Sequence, residues 1–198
     1  MQECTQEGCS SLSPTIEHIF KAAQELFVTK GYFNTTIPDI VKKSGVSIGS
    51  IYHHFESKQH LAAELYEYTA GICSSTLLER IDAETNLKKK LRAVVFHLFD
   101  QADTAPIRLQ YIFYTNHEEI QEPTDPACPS QLFLAVRELI DECKKEDLLK
   151  DLPSDILTSA FMGIPLQIID LKFHKILEGE MTSRVDEAFQ LCWDAVKS

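Results

Sequence analysis

The stretch Thr35–Leu61, TTIPDIVKKSGVSIGSIYHHFESKQHL, carries the start and stop signals of two short, consecutive helices. Thr36 stands three residues before Asp39, the spacing of a capping box at a helix N-terminus. Gly45 is placed to end that helix and Ser47 to cap the next one. Two helices joined by a short turn that contains glycine are typical of a helix-turn-helix unit.

The helix that follows Ser47 is predicted to have a polar outer face. Val46, Ile51 and Phe55 can point inward, which leaves small or hydrogen-bonding residues outside: Ser47, Gly49, Ser50, Tyr52 and His53. Such a face can lie close against another molecule. Ile48 leaves two alternatives open, because it can contact a partner from the outer face or turn inward three positions before Ile51.

Apolar residues recur three and four positions apart along the chain, and only 7 of the 198 residues are glycine. This pattern predicts an all-α protein, with an N-terminal helix-turn-helix domain of three helices and a C-terminal helical bundle. The first helix begins at Ser13-Pro14 and ends at Gly31, and Ser57 caps a long fourth helix that reaches about Ile81. Further helices are expected at about 86–102, 105–115, 129–147, 153–178 and 182–197.

Three regions follow from this pattern: a disordered tail at 1–12, the helix-turn-helix domain at 13–60 and a C-terminal helical domain at 61–198. The segment HEEIQEPTDPACPS, with three prolines, is predicted to be the longest loop and a gate. Pro165 is expected to kink the helix that contains it.

Two C-terminal segments are more apolar than a surface helix. DILTSAFMGIPLQIIDLKFHKIL is apolar nearly all round, and FQLCWDAV in the last helix has the same excess. They predict a homodimer with a four-helix seam, and the alternative is that both helices are simply core.

The net charge is −11 and the isoelectric point is about 5.0, so any contact with nucleic acid has to come from a local patch. Residues 12–60 hold five lysines against four acidic residues, so the acidity lies elsewhere. With no uninterrupted apolar run of about 18 residues, the expectation is a cytoplasmic protein without membrane contact. The six cysteines are expected to be free thiols: Cys4, Cys9, Cys73, Cys128, Cys143 and Cys192.

Taken together, TTIPDIVKKSGVSIGSIYHHFESKQHL resembles the DNA-binding domain of the tetracycline-repressor (TetR) family of bacterial transcriptional regulators. The matching residues are Thr36, Ile40, Gly45-Val46-Ser47, Gly49, Ile51-Tyr52, His54-Phe55, Lys58 and Leu61. The resemblance implies a homodimer whose recognition helices enter successive major grooves of a palindromic double-stranded DNA operator. It also implies that residues 61–198 form an effector-binding and dimerisation domain, and that the DNA is released when a small effector binds there.

On that basis, phosphate contacts are expected from Thr36, Tyr52, His54 and Lys58. Base contacts are expected from Ser47, Ile48, Ser50 and His53, with Gly49 admitting the backbone to the groove. Residues 1–79 contain no arginine, so the common bidentate contact with guanine is missing and A·T-type contacts are favoured.

A ligand-sensing domain needs an apolar cavity with a few polar groups. The candidate effector residues are Phe96, Phe99, Gln110, Tyr111, Tyr114, Phe133, Arg137, Phe161, Met162 and Gln167. The effector is expected to be small and apolar.

No catalytic motif is found, and neither a cofactor nor a metal is expected; His117-Glu118-Glu119 lacks the HExxH spacing of a zinc site. One alternative is a redox- or metal-responsive regulator on the same scaffold that uses its cysteine thiols. Another is a domain that binds a protein partner in place of DNA.

Overall fold

A computed structural model of the chain describes residues 12–115 and 131–198. Within these ranges the all-α prediction is confirmed, and the only β-type pairing is an isolated bridge between Leu149 and Lys197. The helices are α1 Pro14–Lys30, α2 Ile37–Ser44, α3 Ile48–His54, α4 Lys58–Asp82, α5 Leu87–Thr104, α6 Pro106–Tyr114, α7 Gln131–Lys145, α8 Ser154–Phe173 and α9 Val185–Val196. The predictions for the N-terminal tail, the proline-rich loop, Cys4, Cys9, Cys128 and His117-Glu118-Glu119 lie outside the described residues.

The predicted caps of the first four helices are confirmed. The Ser13, Ser47 and Ser57 hydroxyl oxygens accept hydrogen bonds from Ile16 N, Ser50 N and His60 N, at 3.4, 3.2 and 3.0 Å. Gly45 ends α2 in the left-handed conformation, at φ 73°, where its N–H donates to Val41 O. These local bonds determine where the chain turns between the helices.

One helix end differs from the prediction. The apolar pattern extends α8 to residue 178, but the helix ends at Phe173. Lys175 adopts a positive φ of 58°, and the N–H groups of Ile176 and Leu177 turn back to Leu171 O. Glycine in the left-handed region marks a helix end in the sequence, whereas lysine does not. The apolar pattern therefore predicted a helix that is too long.

The chain divides into two compact units, and the division falls inside α4 and α6. The first unit comprises Met1–Ile72 and Gln110–Ala127. Its core is built by α1 to α3 with the first half of α4 and includes Ile19, Phe27, Ile40, Ile51, Leu61, Leu65 and Tyr111. The domain boundary predicted at residue 60 stays a prediction, whereas the packed core extends beyond it because Leu61 and Leu65 belong to this cluster.

The second unit comprises Cys73–Leu109 and Cys128–Ser198. In it α5 packs against α7, α8 and α9, and α8 packs against both α7 and α9. Its fully buried residues include Leu91, Val94, Leu98, Phe99, Val136, Ile140, Phe161 and Ile169.

The outer face of α8 is open to solvent. Ile156, Ala160, Gly163 and Gln167 are exposed at spacings that put them on one side of the helix. By length and composition α8 could also cross a membrane, a test that core helices of packed proteins pass as well, and 33% of its most apolar window is buried.

Asp103 at the end of α5 joins three segments of the second unit. Its carboxylate accepts hydrogen bonds from the Lys172 ammonium, from Met181 N at 3.1 Å and from Thr182 N at 3.0 Å. Burial pushes the pKa of Asp103 upward, but the hydrogen bonds with Lys172, Met181 and Thr182 outweigh burial and hold it below the usual value. The carboxylate therefore stabilises the fold in its charged form.

We expect Asp103→Asn to lower the free energy of unfolding at pH 7 by about 3 kcal/mol, because charge-assisted bonds are lost around a largely buried group. The measurement is urea unfolding followed by circular dichroism. Because the pKa of Asp103 is lower in the folded than in the unfolded chain, its contribution is full above about pH 4 and declines as the pH falls toward the folded value. The variant should lack this part of the acid dependence.

Asp186→Asn is the matched control, because Asp186 also pairs with a basic residue, Arg92. The Asp186 side chain, however, is 82% exposed. An ion pair this open to solvent contributes little, so the urea midpoint of this variant should stay that of the wild type. Equal losses in the two variants would contradict the role assigned to Asp103.

Candidate nucleic-acid interface

The rotation of α3 is fixed by two residues that lie in the core. Ile51 and Phe55 are 0% and 5% exposed, and Val46 is half-buried against the same cluster. The opposite face is open to solvent, with Ser47, Gly49, Tyr52, His53 and His54 exposed and Ser50 half-buried. The predicted inward and outward sets are therefore confirmed.

The Ile48 side chain lies on the outer face of α3. Its side chain is 50% exposed, so the alternative in which it turns into the core is wrong. An aliphatic side chain that projects from this face can contact an apolar group such as a thymine methyl.

Gly49 is not required by the local fold. A Cβ built on it would meet no atom of the described residues within 4 Å, and its backbone does not need a positive φ. Gly45 differs, because its φ of 73° is the left-handed conformation that turns the chain between α2 and α3. The absence of a side chain at Gly49 thus creates space on the outer surface.

Thr36 forms the predicted capping box with Asp39. Its N–H and hydroxyl both donate to Asp39 Oδ2, at 2.9 and 2.8 Å, and its Oγ1 accepts from Asp39 N. Lys30 also donates to this carboxylate and, with the Thr36 bonds, holds the Asp39 pKa well below its usual range. The phosphate contact predicted for Thr36 stays a prediction, and it has to form beside this anion.

Lys58 is bound within the first unit. Its ammonium donates to Tyr32 O at 2.8 Å and to Thr35 O at 2.9 Å, and it lies 4.1 Å from the centre of the Tyr32 ring. Desolvation lowers the pKa of Lys58. Because an ammonium has three N–H donors, one remains for the predicted phosphate contact. Sequence reasoning missed the two carbonyl bonds, which tie the start of α4 to the α1–α2 turn.

Few positive charges on this unit are available to an outside partner. Lys30 pairs with Asp39 and Lys43 with Glu25, each at 2.7 Å. Two exposed lysines, Lys21 and Lys42, form no ion pair within the described residues. The outer face of α3 itself offers hydrogen-bonding groups, chiefly the Tyr52 hydroxyl and the rings of His53 and His54, whose centres lie 5.1 Å apart.

The predicted effector residues do not form one group. Gln110 and Tyr114 line a pocket of about 300 Å³ in the first unit, together with Phe27, Val28, Gly31, Tyr32, Phe33, Asn34 and Thr115. The prediction missed the α1 and turn residues of this wall, because only the folded chain brings them to α6. Tyr111 belongs to the core of the first unit, where it is fully buried and its hydroxyl donates to Ala62 O at 3.0 Å, and its effector role stays a prediction.

The predicted effector residues of the second unit also differ in their exposure to solvent. Phe99, Phe161 and Met162 are buried, and Phe96 and Phe133 are half-buried. Arg137 is exposed and pairs with Asp155 at 2.7 Å, and Gln167 lies on the open face of α8. An effector role for these seven residues stays a prediction.

The described cysteines are poor redox switches. Cys73, Cys143 and Cys192 are buried, and burial raises their pKa values to about 11, about 11 and about 12. A thiol that stays protonated at pH 7 is a weak nucleophile. Within residues 12–115 and 131–198, no group of three His, Cys, Asp or Glu side chains could hold a metal ion.

Residues 19–65 match the family model described as bacterial regulatory proteins, tetR family. This range contains α2, α3 and the whole surface described above. Residues 19–65 are therefore a TetR-family DNA-binding domain.

Individual relatives agree with this assignment. The TetC protein of transposon Tn10 from Escherichia coli is 24% identical over 163 residues, which cover 80% of this chain and 82% of TetC. The transcriptional regulator QacR of Staphylococcus aureus is 43% identical over 86 residues, which cover 43% of each chain. The chain thus spans less than half the length of QacR and more than three quarters of that of TetC.

The fold has close counterparts among solved structures. A TetR family transcription regulator from Marinobacter aquaeolei VT8 aligns with a TM-score of 0.82 and 20% identity, over 93% of this chain and 96% of that one. The fold of that regulator thus extends over nearly the entire chain.

We expect Lys58→Met to lower the free energy of unfolding by about 2 kcal/mol, because two backbone carbonyls lose a charged donor. Urea unfolding followed by tyrosine fluorescence measures the change. Lys42→Met removes the same charge from an exposed position of the same unit and should be neutral. A neutral Lys58 variant would contradict the structural role of these bonds.

Proposed function

We propose that the protein is a cytoplasmic, ligand-responsive repressor that binds a palindromic operator as a homodimer and is released by a small apolar effector. The observation that carries the proposal is the outer face of α3, which presents Ile48, the bare backbone at Gly49, Tyr52 and His53 beside one another. Regulators of this family are typically ligand-responsive repressors.

The chemistry of this face favours a close approach to the major groove. At Gly49 a duplex could come within contact distance of the backbone, because no side chain stands between them. The Tyr52 hydroxyl and the His54 ring are donors suited to phosphate oxygens, which would fix the position of α3 without reading sequence. Thr36 and Lys58 would add phosphate contacts at two helix N-termini.

Base selection would fall to the other side chains of the face. The Ile48 side chain is suited to a thymine methyl, and Ser47, Ser50 and His53 can donate to or accept from base edges. Because no arginine is present in this unit to bind guanine in a bidentate manner, we infer an operator rich in A·T pairs.

The open face of α8 supports the homodimer. Ala160 and Gly163 are small residues in the middle of the exposed stripe, where they would let a second helix pack closely. Leu191 on the neighbouring α9 is 59% exposed and would extend the apolar area. A two-fold axis through these helices would give the four-helix seam, and homodimers are typical of the family.

Effector release would use α4, since residues of this one helix belong to both compact units. A ligand that tilts α4 would pull on the α1–α2 turn through the two Lys58 carbonyl bonds. The spacing of the two recognition helices would then depart from the roughly 34–36 Å of one DNA turn. Operator and effector must weaken each other by the same factor.

The α3 proposal is tested by Gly49→Ala. The fold should tolerate this change, since the new methyl group meets no described atom within 4 Å and alanine is favoured over glycine in a helix by up to about 1 kcal/mol. DNA binding should weaken at least tenfold, because the methyl group occupies the space that the duplex needs. The measurement is fluorescence anisotropy with a duplex selected from a random pool by the wild-type protein.

Gly71→Ala is the matched control. Gly71 lies within α4 and its Cβ would likewise meet no described atom within 4 Å, so this variant should bind the duplex like the wild type. Wild-type affinity in Gly49→Ala would contradict the docking of α3. Failure to select any duplex from the pool at low salt would contradict DNA binding altogether.

The dimer is tested by Gly163→Glu. A Cβ at Gly163 has open space within the described part of the chain, so the monomer should stay folded. At the seam the two new carboxylates would be desolvated and repel each other, and the dimer should dissociate at micromolar concentration. Sedimentation equilibrium measures the mass, with Leu78→Glu as a control at an apolar, 45% exposed position of α4. A dimeric Gly163→Glu variant would contradict the seam.

A further inference from the structure

A cluster of polar side chains is buried in the second unit, where α4, α5 and α6 contribute to it. His97 is 0% exposed, Ser74 4% and Gln101 6%. Cys73 is 1% exposed, and its Sγ lies 3.3 Å from His97 Nε2. Buried polar groups of this kind destabilise a fold unless each finds a hydrogen-bond partner.

Two atoms of the cluster lack a partner among the described residues. His97 Nδ1 and Ser74 Oγ are buried there without a hydrogen bond. Burial, helped by the Arg80 charge, lowers the pKa of His97 to about 4, so the imidazole is neutral at pH 7. In the tautomer in which the Cys73 thiol donates to Nε2, the imidazole proton resides on Nδ1. In that tautomer the His97 Nδ1–H is a buried donor without a partner among the described residues, and the Ser74 hydroxyl is another.

Arg108 adds a positive charge that no carboxylate of the described residues balances. Its Nη1 donates to Gln101 Oε1 at 3.2 Å, a neutral acceptor, and its charge acts on both Cys73 and His97. Arg80, the other nearby arginine, is neutralised by Asp100 at 2.5 Å. Arg92 and Arg137 also pair with carboxylates. The cluster therefore has a net charge of +1, in a chain whose net charge is −11.

We propose that Arg108, His97 and Ser74 form the recognition site for the carboxylate of an amphipathic effector with an apolar body. The planar guanidinium fork matches a carboxylate in a bidentate manner, and one negative charge balances the single positive charge of the cluster. A phosphate dianion would exceed that charge. The buried neighbours along α5, Val94, Leu98 and Phe99, suit an apolar body.

This assignment rests on the proposed function only in calling the ligand an effector. It narrows the expected class from any small apolar molecule to a monocarboxylic acid. Two features argue against other uses of the cluster. The described side chains include no group of three His, Cys, Asp or Glu residues that could hold a metal ion, and a protonated, buried thiol is a weak redox centre.

The test is direct binding to the full chain without DNA, by isothermal titration calorimetry at pH 7. The probes are octanoate and 4-phenylbutyrate, each paired with the alcohol of the same body, 1-octanol and 4-phenyl-1-butanol. At least one acid should bind with an affinity at least tenfold higher than that of its alcohol. Arg108→Gln should reduce this acid to the affinity of the alcohol.

Arg92→Gln is the matched control, because it removes the same charge from an arginine whose side chain is 41% exposed, in the same unit. It should bind the acid like the wild type. In the wild-type protein, the ¹⁵N signals of His97 should shift on binding of the acid and not of the alcohol, which a merely structural role of Arg108 would not produce.

Three results would overturn the assignment: no saturable binding of either acid, equal binding of acid and alcohol, or undiminished acid binding by Arg108→Gln. Because these titrations contain no DNA, they are independent of the α3 proposal. A chain that binds the acid but no duplex would refute the proposed function alone, and a chain that binds a duplex but neither acid would refute this inference alone.

Discussion

The burial of Ile51 is the constraint on which the candidate interface depends. This side chain is fully enclosed by the core of the first unit, and Phe55 enters the same core one helical turn later. Because these two side chains are held in the core, the rotation of this short helix is fixed, and with it the direction of every other side chain on α3. Ile48, Gly49, Tyr52 and His53 face solvent because Ile51 does not. A core contact thus sets the composition of the surface.

The second unit has polar groups in its interior and apolar side chains on its surface. Its interior retains polar groups, including the Asp103 carboxylate and the His97 imidazole, whereas α8 and α9 leave aliphatic side chains outside. Asp103 accepts hydrogen bonds from two other segments, at Lys172 and at Met181-Thr182, and so its burial is structural. Within the described residues, the His97 and Ser74 atoms have no such bonds. Apolar surface outside and unpaired polar atoms inside are both features that binding partners would complete.

Local signals in the sequence were enough to predict most of the fold. Hydroxyl caps, the Thr36–Asp39 box and Gly45 act over three or four residues, so the order of amino acids alone reveals them, and helical spacing identified Ile51 as core. Features that join distant segments could not be predicted in this way. The bonds of Lys58 to the α1–α2 turn and the entry of Tyr111 into the first core connect residues 23 to 49 positions apart. The predicted effector set was divided between two units for the same reason.

The internal pairing of Lys30 and Lys43 affects how such a protein would search a chromosome. Binding to unrelated duplex is driven by the release of counterions from phosphates, and a surface with few unpaired lysines releases few of them. Residence on random sequence would then be brief, and occupancy would tolerate physiological ionic strength. Much of the protein would stay free in solution between encounters, where the second unit could meet the proposed effector before the proposed operator is found.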